Sequence, residues 1–174
     1  MKDFSRDTLV ILILAIAIFF LKQVTIPTTV SRYSCMEPGL EPEQRVLVNK
    51  VAYYFGEPER GDVIIFDPPF ESEEPFIKRI IGLPGESVEI KQGTVYVHKN
   101  GNTLALDEPY VKQPPTYTLE ITRIPEGEYF VLGDNRNNSQ DSHTGWTVKR
   151  KDIIAKAWLS IWPWDRWGFI ANPL

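Results

Sequence analysis

At 174 residues, 43% hydrophobic, 24% charged and formally −4 at pH 7, the chain has room for one membrane anchor plus one domain of ordinary size, and its composition excludes wholesale disorder. The acidic balance, without a basic stripe, excludes nucleic acid as an expected partner. A single cysteine excludes an intramolecular disulfide and a Cys-based metal cluster. Two histidines, His98 and His143, outside any HExxH pattern give a zinc protease no support, so no metal or cofactor is expected.

Residues 1–7 read as a short N-terminus, and from Thr8 to Leu21 the chain runs without a charge as TLVILILAIAIFFL. That run alone is shorter than the roughly 20 residues of a bilayer span. Counting through Lys22 to Ile26, just before Pro27, reaches the length if the lysine snorkels its amine toward the headgroups. A cleaved signal peptide would end in a small-x-small site, which KQVTIPTTVSRY lacks. The expectation is therefore an uncleaved transmembrane helix over 8–26, in contact with membrane lipid, followed by a domain over 27–174. Lys2 and Arg6 before the run and Lys22 and Arg32 after it give the positive-inside rule almost no vote on orientation.

Beyond residue 40, β-type runs alternate with turn signals: RVLVNKVAYYF (45–55), DVIIFD (62–67), PFIKRIIGL (75–83), SVEI (87–90), TVYVHK (94–99), TLEITRI (118–124), EYFVLG (128–133) and DIIAKAWLSIW (152–162). Gln92-Gly93 and Asn100-Gly101 are hairpin-turn dipeptides. Many short strands at close spacing predict a mostly β, barrel-like domain. The segments FESEEP (70–75) and KQPPT (112–116) read as solvated loops. The tail concentrates Trp158, Trp162, Trp164 and Trp167 with Phe169, aromatics that suit a membrane–water interface. Trp158, inside a strand pattern, is expected to pack the domain instead.

Four segments carry candidate chemistry. They are Cys35-Met36-Glu37-Pro38-Gly39-Leu40, followed by a run containing Lys50; Arg60-Gly61-Asp62-Val63-Ile64-Ile65-Phe66; Phe76-Ile77-Lys78-Arg79-Ile80-Ile81-Gly82-Leu83-Pro84-Gly85-Glu86; and Gly133-Asp134-Asn135-Arg136-Asn137-Asn138-Ser139-Gln140-Asp141-Ser142. In this order and spacing they resemble the conserved boxes of type I signal peptidases, membrane-bound serine-type endopeptidases that use a lysine base. With the anchor, the resemblance covers nearly the whole chain. It implies a signal-peptidase catalytic domain outside the cell membrane with the N-terminus cytoplasmic, and signal-peptide-bearing precursors as substrates, cut after a small-x-small motif.

Peptide cleavage needs a nucleophile, a base within hydrogen-bond reach and donors where the oxyanion forms. A lysine serves as base only where its surroundings destabilise the ammonium, as apolar burial does. On a strand, Lys78 shares a face with Phe76 and Ile80, while Arg79 lies equally between Ile77 and Ile81, so alternation does not choose between them. The resemblance chooses Lys78, and a permanently protonated arginine is a poor base. At the family's serine position stands Cys35, with Ser34 before it. Three readings stay open: attack by a Cys35 thiolate, attack by Ser34 through a one-residue shift, or a catalytically weak or inactive domain that keeps the fold.

The resemblance also implies that Ser139 lies close to Lys78 and orients it, that Asp134 and Arg136 are framework residues beneath the site, and that Met36 and Pro38 fix the nucleophile loop. Ile77 would line a pocket for a small side chain. Tyr33 stands where the family often has Ser or Gly near the oxyanion hole. His143 replaces an arginine that commonly pairs with the aspartate equivalent to Asp141. Spaced two apart, Asp141 and His143 read as structural partners rather than members of a Cys-His-Asp triad. Two rivals remain. A self-cleaving repressor of Ser-Lys type should carry a helix-turn-helix where this chain has its apolar run, and a membrane-tethered β-domain that only binds signal sequences or a partner would not depend on Lys78. Nothing in the sequence fixes an oligomeric state.

Overall fold

The runs rich in Val, Ile and aromatic residues form short antiparallel strands in the computed structural model, which describes residues 7–16, 18, 25–29 and 34–174. The strands are β1 (Thr25–Thr29), β2 (Arg45–Asn49), β3 (Val63–Phe66), β4 (Phe76–Gly82), β5 (Ser87–Lys91), β6 (Thr94–Lys99), β7 (Asn102–Ala105), β8 (Leu119–Arg123), β9 (Glu128–Leu132), β10 (Val148–Lys149), β11 (Ile153–Trp162) and β12 (Gly168–Phe169). One sheet orders β1-β2-β11-β3-β4-β9-β10, with β12 paired to β11, and a second orders β7-β6-β5-β8. The domain is mostly β, as the sequence predicts. Its pairing runs as two sheets, and among the described residues the larger one has free ends at β1 and β10 rather than closing into a ring.

Local chemistry explains the turns. Gln92 and Gly93, at φ 50° and 78°, join β5 to β6, and Asn100 and Gly101, at φ 50° and 80°, join β6 to β7. Two successive positive φ values are the type I′ geometry that matches the twist of a tight hairpin. The expected strand over 45–55 stops at Asn49 instead. The Asn49 Oδ1 accepts from the Val51 and Ala52 N–H groups, both at 2.9 Å, and turns the chain into a 3₁₀ turn over Ala52–Tyr54. Lys50 therefore lies beyond the strand.

Three apolar clusters fill the domain. One gathers Met36, Leu40, Val46, Val48, Val63, Ile65, Ile77, Ala155 and Ala157. A second gathers Ile64, Phe66, Ile80, Tyr129, Val131, Val148 and Ile153, and a third packs the smaller sheet through Val88, Ile90, Val95 and Val97 against Ile81, Phe130 and Leu132. β4 contributes to all three, which is why it is buried from Ile77 to Gly82.

Trp158 departs from expectation, being 43% exposed. Alternation along β11 buries Ile153, Ala155 and Ala157 and turns Ile154, Lys156 and Trp158 to the other face; the register shift against β2, between Ala157 and Leu159, then brings Ser160 inside. Of the expected span over 8–26, residues 8–16 and 18 are helical, whereas Thr25 and Ile26 belong to β1, paired with Asn49 and Val48 of β2, so the expected helix does not run to residue 26; residues 17 and 19–24 lie outside the described residues, as does Tyr33. Among the described residues no helix is long and apolar enough to cross a membrane.

Candidate active site

The centre of the site is a contact between two elements that the sequence separates by forty-three positions: Lys78 Nζ donates to Cys35 Sγ at 3.0 Å. Lys78 sits in the middle of β4, paired with Ile64 of β3, and is 3% exposed. Its amine lies 5.3 Å from the centre of the Phe76 ring, two residues away on the same strand. Cys35 is in a 3₁₀ turn over Ser34–Met36 and is half-buried. The turn is anchored from below because Met36 and Leu40 are both buried beside Ile77, and the Leu40 N–H donates to the Met36 carbonyl at 2.8 Å.

The 133–142 segment holds this turn from the other side. The Asn135 N–H donates to the Cys35 carbonyl at 3.1 Å, and its side-chain Nδ2 donates to the Ser34 carbonyl at 3.0 Å. Asn138 Nδ2 donates to the Ser34 hydroxyl at 2.8 Å. Ser34 is thus engaged by an asparagine while Cys35 meets the lysine. Gly133 lies against the same peptide: a Cβ there would collide with the Cys35 carbonyl and the Ser139 hydroxyl, so only glycine fits.

Beneath lie buried charges, each answered. Arg79 forms a two-pronged ion pair with Asp134, at 2.9 and 2.8 Å, and donates to the Gly61 carbonyl at 2.8 Å. Arg136, 1% exposed, grips Glu108 at 2.7 and 2.6 Å and donates to the Gly133 carbonyl at 3.1 Å. Fork-on-fork contacts of this kind fix orientation as well as charge. Asp141 is fully buried; it accepts from the Gly133 N–H at 2.9 Å and meets His143 Nδ1 at 2.7 Å. The His143 ring stacks on Tyr117 with centroids 4.2 Å apart, so Asp141 and His143 are partners of each other. Burial, then the Glu108 carboxylate, pushes the Tyr110 phenol far above its usual range; burial and then Asp141 do the same to Tyr117, and both stay neutral.

Some expectations fare differently. Ser139 makes no hydrogen bond to Lys78: its hydroxyl is buried without a partner among the described residues, pressed against Gly133, while the lysine amine is turned to the thiol. Ile77 is 9% exposed and sits within the cluster against which Cys35 packs. A cavity of about 360 Å³ borders the nucleophile turn through Glu37, Pro38, Asp134 and Asn135, but neither Cys35, Lys78 nor Ile77 lines it. Asn135, Asn138, Glu108 and Tyr117 were not singled out from the sequence. The two asparagines lie inside the quoted 133–142 box, whereas Glu108 and Tyr117 come from a long connection with no motif. Among the described residues no group of three His, Cys, Asp or Glu side chains could hold a metal ion.

The family model described as "Signal peptidase, peptidase S26" matches residues 5–162. A probable signal peptidase I-2 of Synechocystis is 39% identical over 170 residues, covering 95% of this chain and 74% of that protein. Signal peptidase IB of Staphylococcus aureus is 32% identical over 193 residues, covering 99% of this chain and 97% of its own. Thylakoidal processing peptidase 1 of Arabidopsis thaliana is 34% identical, covering 85% of this chain and 45% of that protein. A crystal structure of a signal peptidase I from Enterococcus faecalis, 36% identical, superposes on 58% of this chain and 97% of its own with a TM-score of 0.46.

Proposed function

The chain belongs to the S26 signal peptidase family, and we propose that it is a membrane-bound endopeptidase that cuts N-terminal signal peptides from exported precursors after a small-x-small motif. Cys35 is the nucleophile and Lys78 the general base. The observation that carries this assignment is the 3.0 Å approach of the lysine amine to the thiol sulfur, from a lysine that is 3% exposed. That places a proton acceptor within hydrogen-bond reach of the attacking atom, which is the first requirement of a nucleophile–base pair.

In this reading the sulfur attacks the carbonyl carbon after the small residue, and Lys78 takes up the thiol proton. The same amine then delivers that proton to the departing nitrogen. A water, deprotonated by Lys78, hydrolyses the resulting thioester and frees the sulfur. Ile77 and the cluster beneath Cys35 set the shallow apolar pocket for the small side chain. Cys35 is favoured over Ser34 because the lysine amine meets the Cys35 sulfur, while the Ser34 hydroxyl accepts from Asn138.

The anchor is part of the proposal. Leu9 to Leu14 are each about half exposed or more on every face of their helix, packed on nothing described. A helix apolar all round is suited to lipid. An anchor that begins at Thr8 and ends before β1 would hold residues 1–7 inside and the domain from Thr25 onward outside. The exposed Trp162, Trp164 and Trp167 would then rest on the interface.

The test is cleavage of a precursor bearing an Ala-x-Ala signal by the detergent-solubilised protein. Wild type and Ser34→Ala cut after the second alanine, Cys35→Ala is silent, and Lys78→Ala loses about 10²–10⁴-fold. Cleavage by Cys35→Ala together with silence of Ser34→Ala would assign the wrong nucleophile. Silence of wild type alongside cutting by Cys35→Ser would show a peptidase disarmed at that position, and silence of every variant would leave a binding domain.

A further inference from the structure

We propose that Cys35 and Lys78 are also a covalent modification site: a peroxide converts the pair to a reversible sulfenamide, a Cys35 Sγ–Nζ Lys78 bond. The cross-link uses the geometry of the proposed dyad and does not depend on peptidase activity.

Three observations combine. Cys35 is half-buried rather than sealed in the core, and the lysine amine stands 3.0 Å from its sulfur. Both ends are held in place: Lys78 is 3% exposed on a central strand, and the Cys35 peptide is tied by Asn135 while Met36 plugs the core. The chain contains one cysteine, so an oxidised Cys35 finds no second thiol in its own chain with which to form a disulfide. Of the neighbouring hydroxyls, Ser34 is engaged by Asn138 and Ser139 is pressed against Gly133. The lysine amine is therefore the nucleophile in reach of a sulfenic acid formed here.

The chemistry balances in two steps. The thiol attacks the peroxide: Cys35–SH and H₂O₂ give Cys35–SOH and water, with two electrons passing from sulfur to oxygen. The lysine nitrogen's lone pair then attacks that sulfur, an S–N bond forms, the S–O bond breaks, and the hydroxyl leaves with one amine proton as a second water. Two equivalents of an external thiol reverse the product: the S–N bond breaks, thiol and amine return, and the reductant becomes a disulfide. Sulfenic acids are known to condense with nearby thiols and with nitrogen, whereas further oxidation to sulfinic and sulfonic acid is irreversible. The cross-link removes nucleophile and base together and spares the sulfur from that loss.

The experiment treats the detergent-solubilised full chain with a small excess of hydrogen peroxide, then reads intact mass and proteolytic peptides by mass spectrometry. The expected product is lighter by two hydrogen atoms, joins the peptides containing Cys35 and Lys78, and returns to the starting mass with a thiol reductant. It is absent from Cys35→Ser and Lys78→Arg, and Lys78→Arg gains oxygen atoms at Cys35 instead. Precursor cleavage, followed on the same samples, falls in proportion to the cross-linked fraction and recovers with the thiol. Oxygen additions to the wild type with no joined peptide, an intermolecular disulfide through Cys35, or no reaction would each overturn the proposal. A cross-link in a protein that never cuts the precursor would refute the peptidase reading and leave the cross-link standing.

Discussion

Gly133 bears on the geometry of the proposed Cys35–Lys78 pair. Its N–H is fixed by Asp141, its carbonyl by Arg136, and its missing side chain leaves room for the Cys35 carbonyl and the Ser139 hydroxyl. Gly133→Ala is expected to push the Cys35 turn away from Lys78. A misplacement of about 1 Å costs roughly 10²-fold in rate, and the overpacking costs about 1–3 kcal/mol in stability. Precursor cleavage rates and urea unfolding of the variant check both. At this scale the sequence is a partial guide. Alternation on β4 put Lys78 and Arg79 on equal terms, and the fold buries both, at 3% each. What separates them is their partners, the thiol for one and Asp134 for the other, which come from segments distant in sequence. Only the ordered boxes around Lys78 and Cys35 pointed to the lysine. The unpartnered Ser139 hydroxyl could not have been read from a motif, because it depends on which way the Lys78 amine turns.

Elements were legible where local chemistry decides them. The two hairpins follow from Gln-Gly and Asn-Gly at the turns, and most strands fall within a residue or two of the β-type runs. They were misread where one side chain redirects the backbone, as Asn49 does in ending β2, or where a large aromatic falls on the outward face of a strand, as Trp158 does in β11. The connection between β7 and β8 reads only as a solvated loop over 112–116, yet it delivers Glu108 to the buried Arg136. Glu108→Ala should leave that guanidinium without its carboxylate and cost about 3–5 kcal/mol, seen as a lowered urea midpoint with an unchanged slope. Glu108→Gln, which keeps acceptor and shape, should recover part of the loss. Equal stability of wild type and Glu108→Ala would show that the pair is not what satisfies Arg136.

For the molecule as a whole, the exposed aromatics and the proposed dyad fit the proposal of a β-domain that works beside the bilayer. Trp164 and Trp167 stack at 5.6 Å, and both are more than half exposed, at 70% and 56%. Rings this exposed gain little from burial in the domain, whereas the headgroup zone takes up both ring and N–H. The double variant Trp164→Ala, Trp167→Ala should raise the KM for a precursor embedded in vesicles several-fold and leave kcat/KM for a short soluble peptide unchanged. Equal losses on both substrates would indicate a folding defect instead.

The central claim is that the attacking atom is the Cys35 sulfur beside Lys78. The most direct measurement mixes wild-type protein with excess precursor, quenches in acid within the first turnover and maps the acylated residue by mass spectrometry. The account predicts the signal peptide carried as a thioester on Cys35, absent from Lys78→Ala. An ester on Ser34, or cleavage with Cys35 replaced by alanine, would contradict it.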